Sequence, residues 1–299
     1  KTVWIESFKY GGLNRVKDSR IDVAGKGINV AVAFTQLRGK AICTGINYVE
    51  KGRLVESFLD EAGIKHDLIT VPGEVRVNIK LFDESRKTVT EINESGYPVP
   101  KDIIASIKSK LTTYAKQSTI VVLSGSVPRG IPSTIYRELL ELVSELPVKT
   151  ILDAEGELLL EGLRGKPDII KPNLYELETA LKTRLNSHRD IVHGARVFIK
   201  QGVGIVGVSM GKEGAMIIDD KRAYYAPGMK VDVKGTAGAG DSFVAGLCLA
   251  IEEDKDIKDM LRYGVAAATA SVIQAGTELC NREDFERLLA RVEIEELNI

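Results

Sequence analysis

Cysteine, histidine and long apolar runs are all scarce in this chain, and each scarcity removes a class of function. Its 299 residues include three cysteines, Cys43, Cys248 and Cys280, far apart and in no Cys-x-x-Cys pair. They read as small buried side chains in a reducing cytoplasm, which excludes a disulfide frame and a cysteine zinc site. Of the three histidines, His66, His188 and His193, the last two are five positions apart, a spacing that suits no helical metal site. The longest apolar stretches, 243–251 and 264–273, fall short of the roughly 18 residues needed to cross a bilayer and suit buried helices. Excess charge is also missing. Lys+Arg number 41 and Asp+Glu 42, a net charge of −1, so neither a nucleic acid nor a membrane is an expected partner. A phosphate ligand remains compatible, since it needs only a local cluster of donors. The first residues, Lys1-Thr2-Val3-Trp4, include no initiator Met and no signal-peptide core.

What is present is the balance of a globular protein, 44% hydrophobic and 28% charged. Its length suits two domains or one large α/β domain. Residues 25–38 pattern as a mostly buried helix, 41–46 as a short strand and 54–62 as a helix closed by Gly63. Residues 75–82 alternate strictly, as do 87–92, which predicts a hairpin of half-buried strands. Beyond Pro98 and Pro100, strands alternate with helices. Strands are expected at 120–123, 150–152, 168–170 and 204–208, helices at 133–146 and after Asn173, and a mainly helical segment from Asp241 onward. Buried strands alternating with helices imply a parallel sheet covered on both faces. The hairpin, with part of residues 5–24, is expected to form a separate small β element.

Several motifs carry chemistry. Gly202-Val-Gly204-Ile-Val-Gly207 has the dinucleotide-binding spacing but runs into a strand instead of opening a helix, so it is not assigned that role. No G-x-x-x-x-G-K-[ST] motif occurs. Gly235-Thr236-Ala237-Gly238-Ala239-Gly240-Asp241-Ser242 directly precedes an apolar helix. Glycines there leave backbone N–H groups unblocked, and the helix start adds further donors and partial positive charge, which suits an anion. Asp241 is also a good first-turn residue, so simple capping is the competing reading. Ala24-Gly25-Lys26-Gly27-Ile28-Asn29 opens another buried helix, with Lys26 and Asn29 in its first turn. Arg76, Asn78 and Lys80 fall at i, i+2 and i+4, one face of the expected strand. That face is either solvated edge protection or a cover for a sugar phosphate. Asn173 and Glu176 suit a helix cap, or a carboxylate that organises Mg²⁺ near phosphates. Ser124-Gly125-Ser126 leaves hydroxyls at the carboxyl end of a parallel strand, where open α/β sheets bind ligands.

Taken in order, AGKGINVA from Ala24, SGSVPRG from Ser124, IKPNLYE from Ile170, VSMGKEGA from Val208 and GTAGAGDSFVAG from Gly235 strongly resemble the ribokinase-like (PfkB) family of sugar kinases. The resemblance covers essentially the whole chain. Pairing AGKGIN with RVNIK is most similar to bacterial 1-phosphofructokinases, with tagatose-6-phosphate kinases and minor 6-phosphofructokinases as near relatives. The fold implied is a three-layer α/β/α arrangement with a mostly parallel central sheet, over 25–71 and 97–299. A small discontinuous β lid over 1–24 and 72–96, often used by the family for dimerisation, is implied as well.

The resemblance also implies roles, residue by residue. Asp241 matches the catalytic base, and Gly238, Ala239 and Gly240, with Asp241, the anion hole for the transferring phosphoryl group. Gly25, Lys26 and Asn29 match the sugar-binding loop, with Ser126 nearby. Arg76 matches a lid contact to the substrate phosphate, accompanied by Asn78 and Lys80, and Arg15 a second basic residue. Lys171, Asn173, Ser209, Gly211 and Thr236 fall in nucleotide-side motifs, and Glu176 matches a position linked to Mg²⁺. The expected activity is cytoplasmic, ATP-dependent phosphorylation of a sugar phosphate, fructose 1-phosphate foremost, by a homodimer. Tagatose 6-phosphate and fructose 6-phosphate are the alternative acceptors, and a non-catalytic sugar-phosphate sensor is the alternative of another class. Family members open with a strand and an Asn-Pro-x-x-Asp segment whose Asp holds sugar hydroxyls. This sequence begins just after that Asp, which is expected to precede Lys1.

Overall fold

In the computed structural model, which describes residues 1–274 and 278–299, three sheets share the chain. The largest has seven strands, in the order 295–296, 223–226, 215–218, 205–209, 169–170, 149–153 and 120–124. Strands Ile120–Ser124, Lys149–Asp153, Ile169–Ile170 and Ile205–Ser209 run parallel, and the remaining three extend the sheet antiparallel. The expected parallel strands are therefore all present. Gly204 leads into one of them, as its sequence context predicts. The hairpin 215–218/223–226 was not anticipated; its strands are only four residues long and lie between the last expected strand and the helical segment from Asp241.

Both faces of this sheet are covered, and the strand residues show it by alternation. Ile151, Ile169 and Ile217 belong to one apolar core, with the helices Lys26–Gln36, Ala239–Glu252, Ile257–Val272 and Arg282–Leu289. Leu152, Ile170 and Ile218 belong to the other, with helices Ile135–Val143, Gly156–Leu163 and His188–Lys200. Neighbouring strand residues point to opposite faces, so near-continuous Val/Ile/Leu runs follow directly from this three-layer arrangement.

Strand Ile42–Glu50 is longer than expected and pairs in parallel with Lys65–Glu74, joined by helix Gly52–Glu61. Strand 65–74 was missed because Pro72 and Gly73 sit in its last turnings and its polar residues mask alternation. A separate four-stranded sheet joins Asp18–Arg20, Thr2–Ile5, Ile79–Asp83 and Thr88–Ile92. Its hairpin is the expected one, with a corrected start. Residues 75–78 lie outside the ladder, because Val75 N–H donates to the Glu50 carbonyl and Val77 N–H to Glu94 Oε2. Arg76 and Asn78 therefore occupy a linker, and do not share a strand face with Lys80.

Helix 239–252 runs through the middle of its layer, with residues 241–250 all buried. It rests on helix 257–272 at a close crossing. A Cβ at Gly246 would come within 2.5 Å of the Tyr263 carbonyl oxygen. Phe243, 2% exposed, fills the space between this helix, Gly207 and Gly264. Gly246→Ala must push the two helices apart, and overpacking of this kind costs about 1–3 kcal/mol. A lowered urea midpoint with an unchanged slope is the expected result.

Candidate active site

The carboxyl ends of strands 120–124, 149–153 and 169–170 meet the first turns of two helices, and there the charged residues gather. Helix 26–36 begins at Lys26 after Gly25, and helix 239–252 at Ala239 after Gly238. Neither is capped by a side chain, whereas Asn173, Ser187, Asp256 and Asn281 each cap their own helix. First-turn N–H groups lack intrahelical acceptors. Those of the 239–252 helix, including Gly240 and Asp241, thus face the site with the positive end of the helix dipole behind them. Gly238 takes φ 77°, and a Cβ there would lie 2.3 Å from Leu279 Cδ2, so the turn needs glycine on both counts. Thr236 holds the loop from within, accepting at its carbonyl from Ala239 N–H at 3.4 Å.

Asp241 is only 8% exposed and accepts a hydrogen bond from Asn29 Nδ2 at 2.7 Å. This bond joins the two glycine-opened helices across 212 positions of sequence. Burial pushes the Asp241 carboxyl above the ordinary carboxylate range. The Asn29 bond and the Lys26 and Lys171 charges oppose that rise, and the Asp153 charge adds to it.

Asp153 is the residue that sequence reasoning missed. It ends strand 149–153, is 1% exposed, and its Oδ1 accepts from Lys26 Nζ at 3.0 Å with Lys171 Nζ at 3.6 Å. Its other oxygen, Oδ2, has no partner among the described residues. The available signal was an acid at the carboxyl end of a buried parallel strand, the position that already drew attention to Ser124–Ser126. Burial alone would lower the Lys26 ammonium pKa. The Asp153 charge and hydrogen bond outweigh it, with help from Glu176 and Asp241, so the pKa is raised and Lys26 stays charged. Lys171 is 5% exposed, and its Nζ lies 3.4 Å from where a Cβ on Gly240 would be. One ammonium therefore borders the uncapped loop.

The other expected residues divide into near and remote. Asn173 and Glu176 form a reciprocal capping box, in which Glu176 N–H donates to Asn173 Oδ1 and Asn173 N–H to Glu176 Oε2, both at 2.8 Å. Ser209 ends the neighbouring strand, bridges to Asn173, and is followed by Gly211 at the start of a one-turn helix. Arg76 reaches Ser126 Oγ at 2.9 Å, linking the four-stranded sheet's linker to the main sheet. Lys80 instead sits opposite Glu91 on the next strand and pairs with it at 3.5 Å. Arg15 is exposed between strands 2–5 and 18–20 and makes no hydrogen bond or ion pair among the described residues. The fold brings neither Lys80 nor Arg15 into the cluster.

No group of three or more His, Cys, Asp or Glu among the described residues is placed to hold a metal by itself. Glu176 offers a single carboxylate, with Oε2 turned to the Asn173 backbone. One carboxylate fits Mg²⁺, which commonly takes one or two from protein and completes its shell with phosphate oxygens and water.

Two uncapped helix starts, two lysines and two buried carboxylates form a site suited to moving a phosphoryl group. The comparisons with known proteins agree. The sequence profile of the pfkB family carbohydrate kinase matches residues 3–284, and the chain belongs to that family. More particularly, it is 32% identical over 294 residues to the 1-phosphofructokinase of Borreliella burgdorferi, covering 98% of this chain and 94% of that one. The 1-phosphofructokinase of Rhodobacter capsulatus is also 32% identical, over 298 residues, 99% of this chain and 94% of its own. Among solved structures, Escherichia coli phosphofructokinase-2 in complex with potassium superposes with a TM-score of 0.90 at 25% identity, covering 97% of this chain and 94% of that one.

The Asp241 environment has a stability consequence. A carboxyl whose folded pKa lies above its unfolded value binds its proton more tightly when folded, so the ionised form opposes folding. That opposition begins as pH rises past the unfolded value and is complete above the folded one. Asp241→Asn is therefore expected to melt at or above the parent temperature at neutral pH, with the difference shrinking below the ordinary carboxylate range. Melting curves across pH test this, and a variant less stable than the parent at pH 7 but not at low pH contradicts it.

Proposed function

We propose that this protein transfers the γ-phosphoryl group of ATP to fructose 1-phosphate, giving fructose 1,6-bisphosphate. The observation that carries the reading is Asp241, a buried carboxylate in the first turn of an uncapped helix, hydrogen-bonded to Asn29 and flanked by the charges of Lys26 and Lys171. Asp241 takes the proton from the acceptor hydroxyl as its oxygen attacks the γ-phosphorus. The raised carboxyl pKa makes it a stronger base than a solvated aspartate, while the Asn29 bond and the Lys26 and Lys171 charges favour its ionised form. Backbone N–H groups from Gly238 to Asp241 stabilise charge on the transferring group, in a setting where such donors need no reorganisation.

Lys26 and Asn29 hold the sugar side. Lys171, Asn173, Ser209, Gly211 and Thr236 serve the nucleotide side. Glu176 would hold Mg²⁺, which neutralises phosphate charge when bound. Arg76 and Ser126 take the phosphate already on the sugar, and the four-stranded sheet acts as a lid that keeps water from the transferring group. Lys80, paired with Glu91, contributes less than its place in the motif implies. The exposed apolar residues Tyr10, Leu13 and Ile21 on this sheet's loops and Val89 and Ile92 on its edge favour a homodimer through the lid. Escherichia coli phosphofructokinase-2 is itself known in a tetrameric form.

A second acceptor has specific support, since that phosphofructokinase-2 has been solved with fructose 6-phosphate. Competition among fructose 1-phosphate, fructose 6-phosphate and tagatose 6-phosphate in an ADP-release assay separates them. The expected order places fructose 1-phosphate first in kcat/KM, and preference for either 6-phosphate overturns the assignment. The same assay excludes a non-catalytic sensor if ADP forms with sugar phosphate present. Asp241→Asn should lower kcat by about two to four orders of magnitude with binding of both substrates retained. Near-parent turnover would remove Asp241 from the role of base.

A further inference from the structure

Two arginines from distant parts of the chain converge on one short backbone segment. Arg76 donates from Nη1 to the Glu94 carbonyl at 3.4 Å and from Nη2 to Ser126 Oγ at 2.9 Å. Arg129, three positions after Ser126 in the turn that follows strand 120–124, donates from Nη2 to the Gly96 carbonyl at 3.4 Å. A Cβ built on Gly96 would lie 3.7 Å from Arg76 Cδ, so both arginine side chains flank this glycine. The turn carrying Arg129 is firmly placed. Val99 N–H donates to the Arg129 carbonyl at 2.9 Å, and Gly130 packs so closely on Val99 that a Cβ would come within 2.5 Å of its carbonyl oxygen.

Both arginines are exposed, and neither is ion-paired with a carboxylate among the described residues. Glu94 is beside them, but its carboxylate accepts from Val77 N–H at 2.9 Å. Each guanidinium retains most of its five donors, and among the described residues its bonds are to neutral oxygens. Two like charges held around one segment with no carboxylate in ion-pair contact repel each other, and an anion with several acceptor oxygens relieves that repulsion. A hydroxyl, Ser126 Oγ, completes the set on the side facing the main sheet.

We propose that Arg129 is a specificity-determining residue: with Arg76 and Ser126 it grips the phosphate monoester of the acceptor, so that a phosphorylated sugar is selected over a free one. This rests on the sugar-phosphate reading above and adds to it the cation that Arg15 does not supply. A planar guanidinium suits a phosphate in a way an ammonium does not, since it offers two parallel donors.

The test uses the full chain with Arg129→Gln and Arg129→Lys, assayed with fructose 1-phosphate at saturating ATP, and with ATP varied at saturating sugar. Loss of one charge-assisted contact should raise KM for the sugar phosphate about ten- to a hundredfold in the Gln variant. Its kcat and its KM for ATP should stay within about threefold of the parent, and Arg129→Lys should recover part of the loss. An unchanged sugar-phosphate KM overturns the assignment. So does a fall in kcat together with a matching rise in KM for ATP, which is the pattern of structural damage. If the Gln variant fails to fold, the Lys variant, which keeps the aliphatic stem, carries the same comparison. A parent enzyme that uses free fructose as well as its phosphate overturns the underlying reading and this assignment with it, an outcome visible before any variant is made.

Discussion

A carboxylate with almost no solvent around it, Asp153, lies between two ammonium groups supplied by different elements, Lys26 at one helix start and Lys171 just after a central strand. Removing Asp153 would leave the buried Lys171 ammonium without its carboxylate partner, which is costlier than losing a surface pair. The cluster therefore fixes the relative positions of the Gly25–Asn29 turn, the carboxyl edge of the sheet and the Gly238–Asp241 turn. Asp153 also acts at a distance. Its charge raises the proton affinity of Asp241, while the lysines it holds lower it, so the basicity of Asp241 reflects the whole arrangement and not burial alone.

The two glycine-opened helices both begin without a side-chain cap at the carboxyl edge of the main sheet. Asn173 spends its side chain, and Glu176 part of its own, on closing a helix end. The helices that begin at Lys26 and Ala239 leave theirs open, at a cost of only about a few tenths of a kcal/mol each because glycine holds both cap positions. A cap would occupy the donors that an anion needs. The Asn29–Asp241 bond then ties the two open ends together, so that they face each other across one small volume.

Much of this was legible in the sequence, and for identifiable reasons. Parallel strands buried on both faces announce themselves by unbroken Val/Ile/Leu runs, so 120–124, 149–153 and 205–209 could be placed. Glycine before an apolar helix leaves backbone donors open to an anion, which singled out Lys26, Asn29 and Asp241 as candidates. The failures were of another kind. Strict alternation at 75–82 suggested one strand, but backbone hydrogen bonds from Val75 and Val77 to Glu50 and Glu94 keep the first residues out of the ladder. Periodicity does not reveal where a backbone donor will find its acceptor. Asp153 was overlooked because a single acid at a strand end has no local pattern. Its significance lies in Lys26, 127 positions away.

The four-stranded sheet has a different kind of consequence. Strand Thr2–Ile5 pairs in parallel with Ile79–Asp83, so residues about 80 positions apart must meet before the sheet exists. Closing a chain loop of that length costs roughly 4 kcal/mol in entropy if nothing within it is ordered. The intervening residues fold as helix 26–36, packed in the main body, followed by the strand–helix–strand unit 42–74, and this brings the two ends together in advance. With strands 18–20 and 88–92 exposed along their whole length, the sheet has little burial of its own to repay that cost. Its stability is therefore borrowed from the α/β body on which it rests.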